Sequence, residues 1–189
     1  MTDTELKYAI VKGDRQAFRL VFELYKDKVF NLCISFLKST EAAEEITQDV
    51  FVEVFQSISS FNENARLSTW IHRIAVNKCL DFIRYQKRQK RFTIVSSLFD
   101  MVTGRPLREP ADFIHPGVTL ENRELSAYLF RAISRLPERQ KTAFILFHLE
   151  GVRQQEIAEI MELSVKGIES LLHRAKGNLR GYLRNVYNA

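Results

Sequence analysis

The 189-residue chain is 46 % hydrophobic and 27 % charged, which suits a soluble globular protein of one or two domains. Its net charge of +5 and pI near 9.3 lean towards a polyanionic partner. No run reaches the ~18 apolar residues of a membrane span. The opening MTDTELKYAI is acidic and polar, unlike a signal peptide, and the four histidines lack metal-ligand spacing.

Few glycines and prolines and no long alternating runs predict an all-α chain. Thr2-Asp3-Thr4-Glu5 has the pattern of a capping box and opens a short helix that ends at Gly13. Asp14 caps a second helix, whose Phe18, Val21, Phe22, Tyr25, Val29, Leu32, Cys33 and Phe36 recur every three or four residues. The stretch KST at 38–40 breaks it, and Ser39 or Thr40 caps a third helix over 41–58. Ala43, Ile46, Val50, Phe51, Val54, Phe55 and Ile58 make its apolar arc. Opposite lie Glu41, Glu45, Gln48, Asp49, Glu53 and Gln56, with Val52 exposed among them. Residues 41–53 hold five acids and no base, so this face repels DNA. It suits either docking on another protein or plain solvation.

After the polar SSFNENARLS, a fourth helix runs from about Ser68 to Arg88. Ile71, Ala75, Val76, Cys79, Phe82 and Ile83 form its core stripe, and both Cys33 and Cys79 read as buried free thiols. The other side carries Arg66, Arg73, Asn77, Asp81, Arg84 and Arg88, in line with the only tryptophan, Trp70. Basic residues interleaved with Phe61, Trp70 and Tyr85 match what single-stranded nucleic acid needs, since unpaired bases regain stacking on a ring. Two readings of Trp70 stand at this level: it stacks on a base, or it covers the edge of the core beside Ile74.

Residues 93–122 hold three of the four prolines, two glycines and a net charge of −2, and read as an inter-domain linker. Extended at roughly 3.3 Å per residue it spans about 90–100 Å, so the flanking domains need not touch. They carry net charges of +3 (1–92) and +4 (123–189). In the second, Leu125, Tyr128, Leu129, Ala132 and Ile133 predict one helix. Pro137 suits the first turn of the next, which bears Ala143, Phe144 and Phe147 and stops at Gly151. Ile157, Ala158 and Met161, the turn ELS, then Ile168, Leu171, Leu172, Ala175 and Leu179 give a helix-turn-helix pattern. Lys166, Ser170, His173, Arg174, Arg180 and Arg184 lie opposite that last core stripe. Such a face fits base edges and phosphates of duplex DNA, or solvent alone.

AEEITQDVFVEVFQSISSFNENARLSTWIHRIAVNKCLDFIRYQKR resembles region 2 of bacterial RNA polymerase sigma factors of the extracytoplasmic-function (ECF) type. RLPERQKTAFILFHLEGVRQQEIAEIMELSVKGIESLLHRAKGNL resembles their region 4. The resemblance implies two small helical domains, 1–92 and 123–189, joined by a flexible linker over 93–122, in a cytoplasmic protein with no cofactor. It implies that Glu45, Gln48, Asp49, Val52, Glu53 and Gln56 grip core RNA polymerase at the clamp helices of its largest subunit, with a further contact to the flap. Phe61, Asn62, Arg66, Trp70, Arg73, Asn77, Arg84 and Arg88 would hold the melted minus-ten strand. Lys166, Ser170, His173, Arg174 and Lys176 would read the minus-thirty-five element of promoter DNA. An anti-sigma factor is a usual partner in the family.

Some positions depart from the family's pattern. Glu162 stands at a turn position often filled by glycine, where a positive φ costs of order 1 kcal/mol. Glu169 and Leu171 stand where many relatives are basic. Gly177 and Gly181 inside the last helix each cost about 0.5–1 kcal/mol against alanine. Two other functions compete: a helix-turn-helix regulator that binds duplex DNA without polymerase, and a helical adaptor between proteins. No nucleophile–base pair, phosphate loop or paired carboxylates point to an enzyme.

Overall fold

In a computed structural model, which describes residues 1–62, 65–99 and 123–187, the described residues form helices and connecting turns. Helix α1 (Asp3–Val11) starts with a reciprocal capping box. Thr2 Oγ1 accepts from the Glu5 amide at 3.2 Å, and the Thr2 amide donates to Glu5 Oε2 at 2.7 Å. Gly13, at φ +85, turns the chain into α2 (Arg15–Leu37). Asp14 Oδ1 accepts from the amides of Gln16 and Ala17. Lys38 ends α2 in the left-handed region (φ 58), and Ser39 Oγ caps α3 (Thr40–Ser57) through the Ala42 amide.

A single 3-10 turn, Ile58–Ser60, leads to the polar loop and then to α4 (Leu67–Phe99). This helix runs eleven residues beyond the expected end at Arg88, into the stretch read as linker. No glycine or proline stands between Arg91 and Gly104, so nothing local stops it at the change of composition. The rest of the expected linker, 100–122, lies outside the described residues. Helices α1 to α4 pack around Leu6, Ile10, Val21, Leu32, Val50, Val54, Leu67, Ile71 and Ala75. Cys33 and Cys79 meet in this core as free thiols within hydrogen-bonding reach, and the contact and burial push the Cys79 thiol well up.

The C-terminal part contains α5 (Arg123–Ser134), α6 (Glu138–Phe144), α7 (Gln154–Met161) and α8 (Val165–Tyr187). Pro137 sits at the cap of α6, one position before the expected first turn. Helix α6 continues as a π-helical turn, Ile145–Leu149, closed by the Glu150 amide on the Ile145 carbonyl. The wider turn shifts the register. Ile145 and Leu146 become fully buried, while Phe144 and Phe147, the expected core pair, stay half-buried against His148. Phe130 likewise enters the core although the predicted stripe of α5 left it out.

Helices α7 and α8 form the expected helix-turn-helix. Glu162 takes φ 53 in the turn, the Leu163 amide bonds the Ala158 carbonyl, and Ser164 Oγ accepts from the Gly167 amide. The two bundles touch, an arrangement the linker length left open. Ser35 Oγ donates to Glu150 Oε1 at 2.8 Å, and Lys38 Nζ to the Phe130 carbonyl at 2.7 Å. Helix α7 lies along α4, where Val76 and Leu80 face Thr142, Ile160 and Met161 across a cleft of about 180 Å³. Because loop-closure entropy grows only with the logarithm of length, a long linker opposes this contact weakly.

Candidate nucleic-acid interface

Helix α4 presents the predicted polar row. Arg66, Arg73, Asn77, Arg84 and Arg88 are exposed, as is Asn62 in the preceding loop. Phe61 departs from its expected place. Its ring is 1 % exposed and serves as the floor beneath Trp70, with ring centres 5.5 Å apart, rather than as an open stacking surface. Trp70 is half-buried: one part packs on the core, and the rest lines an open cleft of about 460 Å³ together with Asn62, Arg73 and Asn77. That volume lies within the ~300–1,000 Å³ range of small-ligand pockets. The indole therefore covers the core edge and also lines the cleft beside the polar row.

Three of these arginines meet glutamates of the C-terminal bundle. Arg84 Nη2 lies 2.6 Å from Glu138 Oε1, Arg73 pairs with Glu162, and Arg66 Nη1 lies 3.5 Å from Glu156 Oε1. Glu138 holds the Arg84 guanidinium above its usual range. All three pairs are partly solvent-exposed.

Helix α3 carries a different surface. Glu45, Gln48, Asp49 and Gln56 are exposed, and Val52 is 55 % exposed, as expected. Glu53 is half-buried and turns to Lys78 of α4 at 2.7 Å, so its charge is largely matched there. Phe55 corrects the predicted apolar arc. It is 52 % exposed beside Val52, held edge-on to Phe18 with ring centres 5.1 Å apart. The three-residue spacing of Val52 and Phe55 places both on one face, and that was the signal available for it.

On α8, Lys166, Ser170, His173, Arg174 and Lys176 are all exposed. Ser170 Oγ donates to the Lys166 carbonyl, and Arg174 Nε to that of Ser170, so both lie folded along the helix. Leu171 is buried at 8 % exposure, so this position serves packing, whereas Glu169 stays exposed beside the basic face. No helix among the described residues is long and apolar enough to cross a membrane, and none of their His, Cys, Asp and Glu side chains cluster as a metal site would need.

Family models for Sigma-70 region 2 and Sigma-70 region 4 match residues 21–89 and 126–179. The ECF RNA polymerase sigma factor SigW of Bacillus subtilis is 30 % identical over 183 residues, covering 94 % of each chain. The ECF RNA polymerase sigma-E factor of Escherichia coli K12 is 30 % identical over 178 residues, 93 % of this chain and 91 % of that one. The chain belongs to the ECF RNA polymerase sigma factors. It is a transcription-initiation factor and not an enzyme.

Among solved structures, CnrH in complex with the cytosolic domain of CnrY matches this sigma factor with a TM-score of 0.67. The identity is 19 % and 97 % of each chain is covered. The sigma factor RpoE of Bartonella quintana, in complex with the anti-sigma factor NepR, matches with a TM-score of 0.60 at 21 % identity, covering 88 % of this chain and 96 % of that one. These likenesses establish the shared fold. In this sigma factor the α8 face stands open, whereas the arginine row of α4 is engaged from within the chain.

Proposed function

We propose that this sigma factor binds core RNA polymerase through the α3 surface around Gln48, Asp49, Val52 and Phe55, reads the minus-thirty-five element as duplex with α8, and holds the unpaired minus-ten strand along α4. The observation that carries strand capture is the open cleft lined by Trp70, Asn62, Asn77, Arg73 and Lys78, with Glu53 and Asp81 also in its lining. A flat ring beside amide and guanidinium donors offers a base stacking and hydrogen bonds together. Exposed apolar groups among acids on α3 favour a protein surface, since a polyanion would be repelled there. The solved neighbours, held with CnrY and NepR, support an anti-sigma factor as a further partner.

In the closed arrangement, glutamates occupy three guanidinium groups that would otherwise meet phosphates. Strand capture therefore requires α6 and α7 to move off α4. Binding of both domains to separate sites on polymerase supplies the free energy for that separation.

The test is run-off transcription from fragmented genomic DNA of the source organism with core polymerase, followed by permanganate probing of the promoters obtained. Asn77→Ala is expected to lower permanganate reactivity of unpaired thymines at least tenfold, with core binding within twofold of wild type. Equal loss of both refutes strand capture by this face.

A further inference from the structure

Helix α1 belongs to none of the three surfaces above, yet it grips the loop that opens into the α4 cleft. Asp3 and Lys7 are one turn apart and so project to the same side of α1. Asp3 Oδ2 accepts the Leu67 amide at 2.8 Å. Lys7 Nζ donates to the Phe61 carbonyl at 2.7 Å and lies 6.0 Å from the centre of the Phe61 ring. Phe61 and Leu67 are the two ends of the loop, and both side chains are buried. One nine-residue helix thus holds both ends with charge-assisted hydrogen bonds, the stronger kind.

The requirement for such a grip is visible in the backbone. Leu67 opens α4, and amides of a first helical turn have no partner within the helix. Asp3 supplies the acceptor from 64 residues away and puts negative charge at the positive end of the helix dipole. Helix α1 is itself fixed, by its capping box and by Leu6 and Ile10 buried in the core. Between the two gripped ends stand Asn62, which lines the cleft, and Arg66, whose carbonyl accepts the Trp70 amide.

We infer that Asp3 and Lys7 are positioning residues for minus-ten strand capture: together they hold the Phe61 carbonyl and the Leu67 amide in place, and so the placement of the adjoining Asn62 and Trp70 against an unpaired base. This rests on the strand-capture reading proposed above.

The experiment uses the full chain with core polymerase on promoters obtained by run-off from genomic DNA. Open complexes per bound polymerase are counted by permanganate reactivity, and core affinity is measured separately. Lys7→Met and Asp3→Ala are each expected to lower open complexes per bound polymerase at least fivefold, with core affinity within twofold. Lys7→Arg and Asp3→Asn keep a donor and an acceptor and are expected to restore at least half of the wild-type value. A general folding defect would instead lower core affinity in parallel, which overturns the positioning role. Undiminished open-complex formation by Lys7→Met and Asp3→Ala overturns it as well. If the wild-type chain gives open complexes that Asn77→Ala does not reduce, the strand-capture reading fails, and this inference with it.

Discussion

Replacing Glu138, Glu156 and Glu162 together by glutamine removes the three C-terminal carboxylates that pair with Arg84, Arg66 and Arg73, and leaves the Arg84–Asp81 pair within α4 in place. The replacement is nearly isosteric. Glutamine at position 156 still serves the capping box at the start of α7, where the carboxylate now accepts from the Arg153 amide. The pairs are half-exposed, with arginine side chains 46–66 % accessible, so solvent screening keeps each within roughly 0.2–1 kcal/mol. Together they favour closure by about 0.6–3 kcal/mol, which shifts the closed-to-open ratio about 3–150-fold. Energy transfer between dyes on exposed positions of α3 and α8, followed from about 50 to 500 mM salt, reads the change. The wild-type chain is expected to open as salt rises. The triple variant should start more open at low salt and respond little. An unchanged distance distribution with an unchanged salt response would show that closure rests on Ile160, Met161 and Leu80 and on the Ser35–Glu150 and Lys38–Phe130 bonds, and would refute the electrostatic account.

Two further outcomes test the packing. Burial, aided by the neighbouring Lys141 ammonium, pushes Lys38 down to about 8, against roughly 10.4 for a free lysine. Between those values the native chain binds fewer protons than the unfolded one, so stability rises with pH across about 8 to 10.4 and this contribution is flat below it. Denaturant midpoints should climb more steeply with pH in the wild-type chain than in Lys38→Met, and parallel slopes would refute the assignment. Gly177 sits in the interior of α8 with no heavy atom within 4 Å of an added methyl group. Gly177→Ala is therefore expected to stabilise the chain by about 0.5–1 kcal/mol. A lowered melting temperature would contradict the open space seen there.

Much of the candidate site was legible because helix faces are local. Spacing alone put Arg66, Arg73, Asn77, Arg84 and Arg88 in one exposed row, and Lys166, Ser170, His173 and Arg174 of α8 in another. The aromatics were less legible. Phe55 and Phe61 carry the same side chain within six residues of each other, yet one is 52 % exposed and the other 1 %. Periodicity cannot separate them, because Phe61 lies beyond the end of α3 and is met from other elements, by the Trp70 ring of α4 and by Lys7 of α1, more than fifty residues away in sequence. Phe147 leaves the expected core stripe for another reason. A π turn adds a residue to the helical repeat and rotates every later side chain, and nothing in FILFHL announces it.

The sequence by itself determined the order of the helices, the caps at Thr2 and Asp14, the third cap as either Ser39 or Thr40, and the sign of charge on each face. Each of these depends on groups within about four residues, so composition and spacing suffice. Tertiary structure alone decided that α1 anchors Phe61 and Leu67, and that Glu138, Glu156 and Glu162 come to rest on Arg84, Arg66 and Arg73. Those contacts join groups 54 to 90 residues apart. Their existence depends on how whole helices pack, and no local pattern of residues encodes that.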